Sequence, residues 1–220
     1  MSQTRARHAA APATKGLRHD IQGLRAFAVL AVVLYHLWPG RLPGGFIGVD
    51  VFFVISGYLI TSHLVRELSG TGSIRLGRFW ARRALRLLPA AFLVLLVSVA
   101  AVVALLPRTV WTQYLRDVVA SALYVQNWHL ASSSVDYLAA FEPPSPFQHF
   151  WSLSVEEQFY VALPLVFLLS AVAARRLGIG VRTVVPAALG SIVVLSFAWS
   201  LVQTTTAPDV AYFSTATRAW

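Results

Sequence analysis

Two ionisable side chains, Arg25 and His36, lie in an apolar stretch that runs from about Gly23 to Trp38. A helix through this stretch would place them within ~20° of each other and ~16 Å apart along its axis. A neutral imidazole accepts a proton near pH 7 more readily than any other unperturbed side chain. The spacing therefore predicts one helix face that carries a candidate base, His36, and a cation, Arg25. The alternatives are an anchor at the helix end for Arg25 and a packing hydrogen bond for His36.

A carboxylate, Asp50, follows after a turn rich in proline and glycine that is centred near Pro43. If the turn joins two antiparallel helices, Asp50 lies at the depth of His36 and can orient and charge-stabilise its imidazole. Alternatively, Asp50 caps or hydrates the outer end of its own helix. Three small residues nearby are interpreted as close-packing positions between helices, not as site residues: Gly48, Ser56 and Gly57.

Two arginines, Arg83 and Arg86, are three positions apart and therefore share a helix face. Guanidinium groups bind phosphate through paired hydrogen bonds, so this pair suits a phosphate-rich ligand. The alternative is that they only set the topology of the chain and attract anionic lipid.

A pair of glutamates occurs in the segment from His149 to Tyr160. Ser154 and Glu157 fit a helix capping box, which gives Glu157 a structural role. Glu156 has no such role, and Ser152 and Tyr160 lie one turn to either side of it. Glu156 is therefore a candidate general base, proton relay or acceptor-binding residue. No spacing typical of a metal site is present, and none is predicted.

The elements that position these residues are apolar helices. Of 220 residues, 57% are hydrophobic and only 12% are charged, against about 25% charged in soluble domains. The sequence predicts an all-α integral membrane protein, a polytopic helical bundle with five spans: about Gly23–Trp38, Phe46–Leu64, Leu87–Leu106, Trp151–Ala174 and Val184–Gln203. A weaker stretch, Val118–Leu130, is expected to form one interfacial or re-entrant helix. Cysteine is absent, which excludes disulfides and thiolate sites.

The net charge of +9 comes from arginines that alternate between the connections. The tail, the connection 65–86 and the connection after the fourth span are basic, which predicts a cytoplasmic N-terminus by the positive-inside rule. The charge therefore indicates a lipid bilayer, with no nucleic acid as partner. Residues 1–17 are expected to be a disordered cytoplasmic tail. His129 and Asp136 are expected to be solvated in an outer loop.

Four motifs in this order resemble the bacterial acyltransferase type 3 family, over about residues 18–220. They are R-x10-H at Arg25 and His36, GVDVFFVISGY at 48–58, R-x-x-R at Arg83 and Arg86, and FWSLSVEEQFY at 150–160. Such enzymes O-acylate sugars of exported glycans or glycosylated metabolites in the bacterial cytoplasmic membrane, with acetyl-CoA or another acyl-CoA as donor. The resemblance implies that residues 18–220 are the N-terminal part of the acyltransferase domain. It also indicates the subgroup with a C-terminal SGNH-type domain.

The resemblance also implies roles for individual residues. His36 is the essential catalytic residue, Arg25 is its motif partner, and Arg83 with Arg86 is linked to donor binding. Whether His36 acts as a base or forms an acyl-histidine stays open. The other class of function is a proton-coupled transporter or flippase, in which His36, Asp50 and Glu156 relay protons.

Overall fold

A computed structural model describes residues 18–38, 40–134 and 145–220, and their regular structure is entirely helical. Five of the helices are long and apolar enough to cross a membrane, which confirms the predicted all-α polytopic fold. These are α1 (His19–Leu37), α2 (Gly48–Thr71), α3 (Leu76–Leu105), α6 (Phe150–Leu177) and α7 (Val181–Thr206). The shorter helices are α4 (Trp111–Ala122), α5 (Gln126–Ser133) and α8 (Pro208–Phe213), and 3-10 turns occupy Gly45–Ile47 and Arg108–Val110.

The spanning helices extend beyond the apolar stretches that indicate them. The clearest case is α3, which begins at Leu76 and not near Leu87, because its basic first turns are also helical. Arginine is a good helix former, so a helix need not end where the apolar residues end. As a result only residues 72–75 link α2 to α3, and Gly72 adopts a left-handed conformation there (φ 68°).

The weak stretch 118–130 forms parts of two helices, α4 and α5, separated at 123–125. Tyr124 at this break has a positive φ of 56°, which a continuing helix does not allow. The expected tail 1–17 and Asp136 lie outside the described residues.

The chain divides into two compact units, one that ends at Ile55 and one that begins at Ser56. In the first unit, the 3-10 turn and the start of α2 pack against α1. In the second unit, a buried apolar cluster joins α2, α3, α6 and α7, with Leu64, Phe79, Tyr160, Phe167 and Val185 among its members. A second cluster joins α3, α4 and the start of α6 around Phe147.

Candidate functional site

His36 lies in the last turn of α1 with its side chain exposed. Its ring nitrogen Nδ1 is 2.8 Å from the carbonyl oxygen of Val32, and its ring lies edge-on to that of Tyr35, with centroids 5.3 Å apart. A carbonyl oxygen can only accept, so Nδ1 carries the hydrogen of the neutral ring. The lone pair is therefore on Nε2, which is the nitrogen that can accept a proton.

Arg25 is half-buried on α1, and Asp50 is half-buried in the first turn of α2. A carboxylate in that position is stabilised by the helix dipole. The hydrogen bond of the His36 ring joins it to Val32 of its own helix, which does not test the predicted pairing with Asp50. That pairing therefore stays a prediction.

Glycines bring the start of α2 against α1. An ideal Cβ on Gly45 would lie 2.4 Å from the carbonyl oxygen of Ala31, and one on Gly48 would lie 2.4 Å from that of Ala28. Real Cβ atoms do not approach so closely, so both positions require glycine. The close-packing role predicted for Gly48 is confirmed, whereas Gly57 has no heavy atom within 4 Å of its ideal Cβ.

In the second unit, a pocket of about 210 Å³ is lined by three arginines, Arg82, Arg83 and Arg86, together with His63 and Phe79. Arg83 and Arg86 therefore share one face, as their spacing predicts. Arg82 and His63 also line the pocket, which the sequence pattern did not predict. The Arg82 Nη2 lies 3.4 Å from the His63 Nε2. Among the described residues that line this pocket there is no carboxylate, although Glu67 Oε2 lies 3.6 Å from the His63 Nε2. Three guanidinium groups against that one neighbouring carboxylate favour an anion.

The Arg83 guanidinium lies over two aromatic rings. Its Cζ is 4.4 Å from the centroid of Tyr160 and 5.8 Å from that of Phe79. Each cation–π contact is worth about 0.5–2 kcal/mol. Within the described residues, Arg83 makes no hydrogen bond or ion pair, so its N–H groups are available to a ligand.

Glu156 is half-buried and accepts two hydrogen bonds on Oε1, one from the Ser56 hydroxyl at 2.5 Å and one from the Tyr160 hydroxyl. The proximity of Tyr160 to Glu156 is as predicted. Ser56, which is interpreted from the sequence as a close-packing residue, also donates a hydrogen bond from α2 to Glu156 on α6. Ser152, on the other side of Glu156, donates instead to the carbonyl of His149 at 3.3 Å.

The predicted capping box is also wrong. Because α6 already begins at Phe150, Ser154 lies inside the helix, and its hydroxyl donates to the carbonyl of Phe150 at 2.9 Å. Glu157 therefore caps nothing. Its Oε1 is buried and has no hydrogen-bond partner within the part of the chain that the structure describes.

A part-buried polar network that the sequence pattern did not predict is centred on Gln158. The Gln158 amide nitrogen donates to Asn127 Oδ1 at 2.9 Å and to the Tyr124 carbonyl at 3.0 Å. Its amide oxygen accepts from the Trp128 indole at 3.1 Å and from the Thr215 hydroxyl. The network thus joins α5, α6 and the segment after α8. The adjacent uncharged polar residues Gln126 and Asn127 were the only sign of this network in the sequence. The structure shows that both are fully buried.

Asp117 belongs to the same region and is almost fully buried. It accepts from the Gln126 amide at 2.9 Å and lies 3.3 Å from the His129 Nε2. The interpretation of His129 as a solvated loop residue was therefore wrong, since the helical turn of α5 directs it to a buried carboxylate. Burial, followed by the charge of Glu157, raises the pKa of the Tyr124 phenol above its ordinary value.

Within the described ranges 18–38, 40–134 and 145–220, no group of His, Asp and Glu side chains could hold a metal ion. The site residues thus fall into a His36 region in the first unit and an arginine pocket in the second.

A family model for an acyltransferase domain matches residues 18–216. The O-acetyltransferase OatA of Staphylococcus aureus strain NCTC 8325 / PS 47 is 44% identical over 179 residues, which are 80% of this chain and 29% of that protein. The putative O-acetyltransferases SACOL0978 of strain COL and SAS0844 of strain MSSA476 are each 47% identical over 148 residues, 67% of this chain and 24% of each relative. The chain thus spans less than a third of the length of these relatives. No solved structure matches the chain.

The family match covers nearly all of the described residues, including both α1 and the arginine pocket. The five long apolar helices are those of a multi-pass membrane protein. The chain belongs to the acyltransferase type 3 family.

Proposed function

We propose that this chain belongs to a membrane O-acyltransferase that moves an acyl group, specifically acetyl, from acyl-CoA to a sugar hydroxyl of an exported glycan or glycosylated metabolite. Its place is the bacterial cytoplasmic membrane, with the N-terminus in the cytoplasm. Family membership and relatives named O-acetyltransferases support this reaction class. The basic connections support the orientation.

The arginine pocket supports acyl-CoA as the donor. Three guanidinium groups and an imidazole line about 210 Å³, and no carboxylate is among the described residues of its lining. Coenzyme A presents several phosphate oxygens, and arginine binds such oxygens through pairs of parallel hydrogen bonds. In the proposed orientation the first turns of α3 face the cytoplasm, where acyl-CoA is available. Arg83 and Arg86 hold the donor, and Arg82 adds a third positive charge.

His36 supplies the chemistry. In direct transfer, its Nε2 takes the proton of the sugar hydroxyl while the hydroxyl oxygen bonds to the acyl carbonyl carbon. The C–S bond of the thioester then breaks, and the CoA thiolate leaves and receives the proton. In the two-step alternative, Nε2 bonds to the thioester carbonyl carbon and the CoA thiolate leaves. The sugar hydroxyl oxygen then bonds to the acyl carbon, the C–N bond breaks, and the hydroxyl proton passes to the freed Nε2 and on to the thiolate. The hydrogen bond from Nδ1 to Val32 favours both routes equally, because it leaves Nε2 as the reactive nitrogen.

Two further residues support His36 in this scheme. Asp50 orients and charge-stabilises the imidazole as it gains a proton. Arg25, on the same helix, is the motif partner toward the cytoplasmic side, where its positive charge attracts the donor.

The test uses membrane vesicles that contain the protein as its gene encodes it, supplied with labelled acetyl-CoA on the cytoplasmic face. We expect label in the glycan fraction, and none with His36→Ala at matched abundance. Label retained on the parent protein when acceptor is withheld would select the acyl-histidine route. Glycan movement across the membrane without consumption of acetyl-CoA would contradict the proposal and indicate a transporter.

A further inference from the structure

We propose that Tyr160 is a positioning residue for the donor: with Glu156 and Ser56 behind it, it fixes the Arg83 guanidinium so that its N–H edge faces a phosphate. The inference rests on the proposed function, since it concerns how the same pocket holds its ligand. It also gives Glu156 a role other than that of base, relay or acceptor contact.

The Arg83 guanidinium packs against the ring of Tyr160. Its carbon Cζ lies over the Tyr160 ring, 4.4 Å from the centroid. A cation–π contact uses the face of the guanidinium, whereas paired hydrogen bonds to phosphate use its edge. Both can therefore be made at once. Arg83 is half-buried, and within the described residues its N–H groups have no hydrogen-bond partner.

The Tyr160 ring is itself held in place by its surroundings. Tyr160 is only 4% exposed, and its hydroxyl donates to Glu156. Its backbone carbonyl accepts from the indole of Trp80 at 3.0 Å. The ring is thus held at its hydroxyl by a side chain of its own helix, and the backbone that carries it is tied to α3.

Glu156 is in turn held in place by a hydrogen bond from another helix. The Ser56 hydroxyl on α2 donates to the same Oε1 that the Tyr160 hydroxyl contacts, at 2.5 Å. Three helices of the second unit, α2, α3 and α6, therefore converge on one aromatic ring. By contrast, Arg82 and Arg86 are exposed, and neither lies over an aromatic ring of the described part of the chain.

A guanidinium that is already ordered loses less conformational entropy when its ligand binds. Tyr160 should therefore affect the affinity for acyl-CoA and leave the chemical step unchanged. This separates a positioning role from a catalytic one, for which kcat would fall.

The experiment measures KM and kcat for acetyl-CoA, and direct binding of CoA, in the gene-encoded protein purified in detergent. With Tyr160→Leu, which removes the ring, we expect KM and Kd to rise about 10-fold with kcat within about twofold. With Tyr160→Phe and Glu156→Gln, which keep the ring but weaken its hydrogen bonding, we expect a rise of about threefold. Tyr114→Phe, a buried tyrosine in the other cluster, is the matched control and should change neither constant. Thermal unfolding of each variant verifies folding, and Tyr160→Phe remains informative if Tyr160→Leu does not fold.

Arg83→Gln combined with Tyr160→Phe gives the decisive comparison. The effects should not add, because without the guanidinium the ring has nothing to orient. Additive effects, or a fall in kcat with unchanged KM and Kd, would overturn the proposal. A parent protein that neither binds CoA nor transfers acetyl would instead refute the proposed function, and the inference with it.

Discussion

The backbone of Gly48 lies directly against the carbonyl oxygen of Ala28, because an ideal Cβ at position 48 would be only 2.4 Å from that oxygen. It would also be 2.9 Å from the Val32 Cγ2. Val32 is the residue whose carbonyl accepts the hydrogen bond of His36. The close approach at Gly48 thus fixes the start of α2 beside the turn of α1 that orients the imidazole.

Gly48→Ala should therefore destabilise the protein and reduce its activity. Overpacking by one methyl group costs about 1–3 kcal/mol where the neighbour is backbone and cannot move away. Thermal unfolding in detergent together with the acyl-transfer assay measures both effects. Gly57→Ala, on the same helix in open space, is the matched control. Equal melting temperatures for the two variants would show that the contact does not constrain the helices.

His36→Ala should lower acyl transfer at least ~100-fold, which is the usual lower scale for the loss of a general base. His36→Gln should do nearly the same, because it keeps hydrogen bonding but cannot carry a proton at neutral pH. Asp50→Asn should have a smaller effect, since Asp50 only orients the ring. Turnover is measured at matched membrane abundance, with His19→Gln on the same helix as control. Near-normal turnover of His36→Gln would mean that the histidine only packs.

Replacing Arg83 and Arg86 together by Gln should raise the KM for acetyl-CoA more than ~10-fold, because charge-assisted hydrogen bonds to phosphate are lost. The control is Arg75→Gln with Arg78→Gln, which removes the same charge from the same connection but not from the pocket. Four basic residues remain there in either variant, so the orientation should persist. An equal loss of activity in both double variants would assign the arginines to topology alone.

Because the 220 residues contain no cysteine, single introduced cysteines can report which side of the membrane a connection faces. Gly40 and Gly77 are exposed, and neither has a heavy atom within 4 Å of its ideal Cβ. In intact cells, an impermeant maleimide should label Gly40→Cys directly and Gly77→Cys only after permeabilisation. The parent protein gives the background. The reverse pattern would invert the proposed orientation.

Gln158→Leu should destabilise the second unit. The substitution leaves the amide oxygen of the fully buried Asn127 without its partner, and a buried orphan costs about 1–3 kcal/mol. Melting temperature measures the loss, with the exposed Gln22→Leu as control. An unchanged melting temperature would indicate that water replaces the amide.

The sequence predicted the features that depend on local periodicity. Long apolar stretches located the spans, and spacing placed Arg83 with Arg86 and Tyr160 beside Glu156. It could not predict the hydrogen bond from Ser56 to Glu156, because those residues are 100 positions apart and their meeting depends on helix packing.

A prediction from local sequence was also wrong where the helix begins earlier than the sequence pattern indicates. The capping box at Ser154 fits the start of the apolar run, but α6 begins at Phe150, and the same serine then bonds within the helix.

The four-residue link between α2 and α3 has a consequence for biosynthesis. Four residues cannot span a hydrocarbon core of about 30 Å, so α2 and α3 cross the membrane in opposite directions. Arg175, at the end of α6, donates to the carbonyl of Gly72 in this link at 2.6 Å. Since Arg175 is synthesised 103 residues later, the bond forms only after α6 has left the ribosome. The attachment of α6 to this link is therefore a late event in the folding of the second unit.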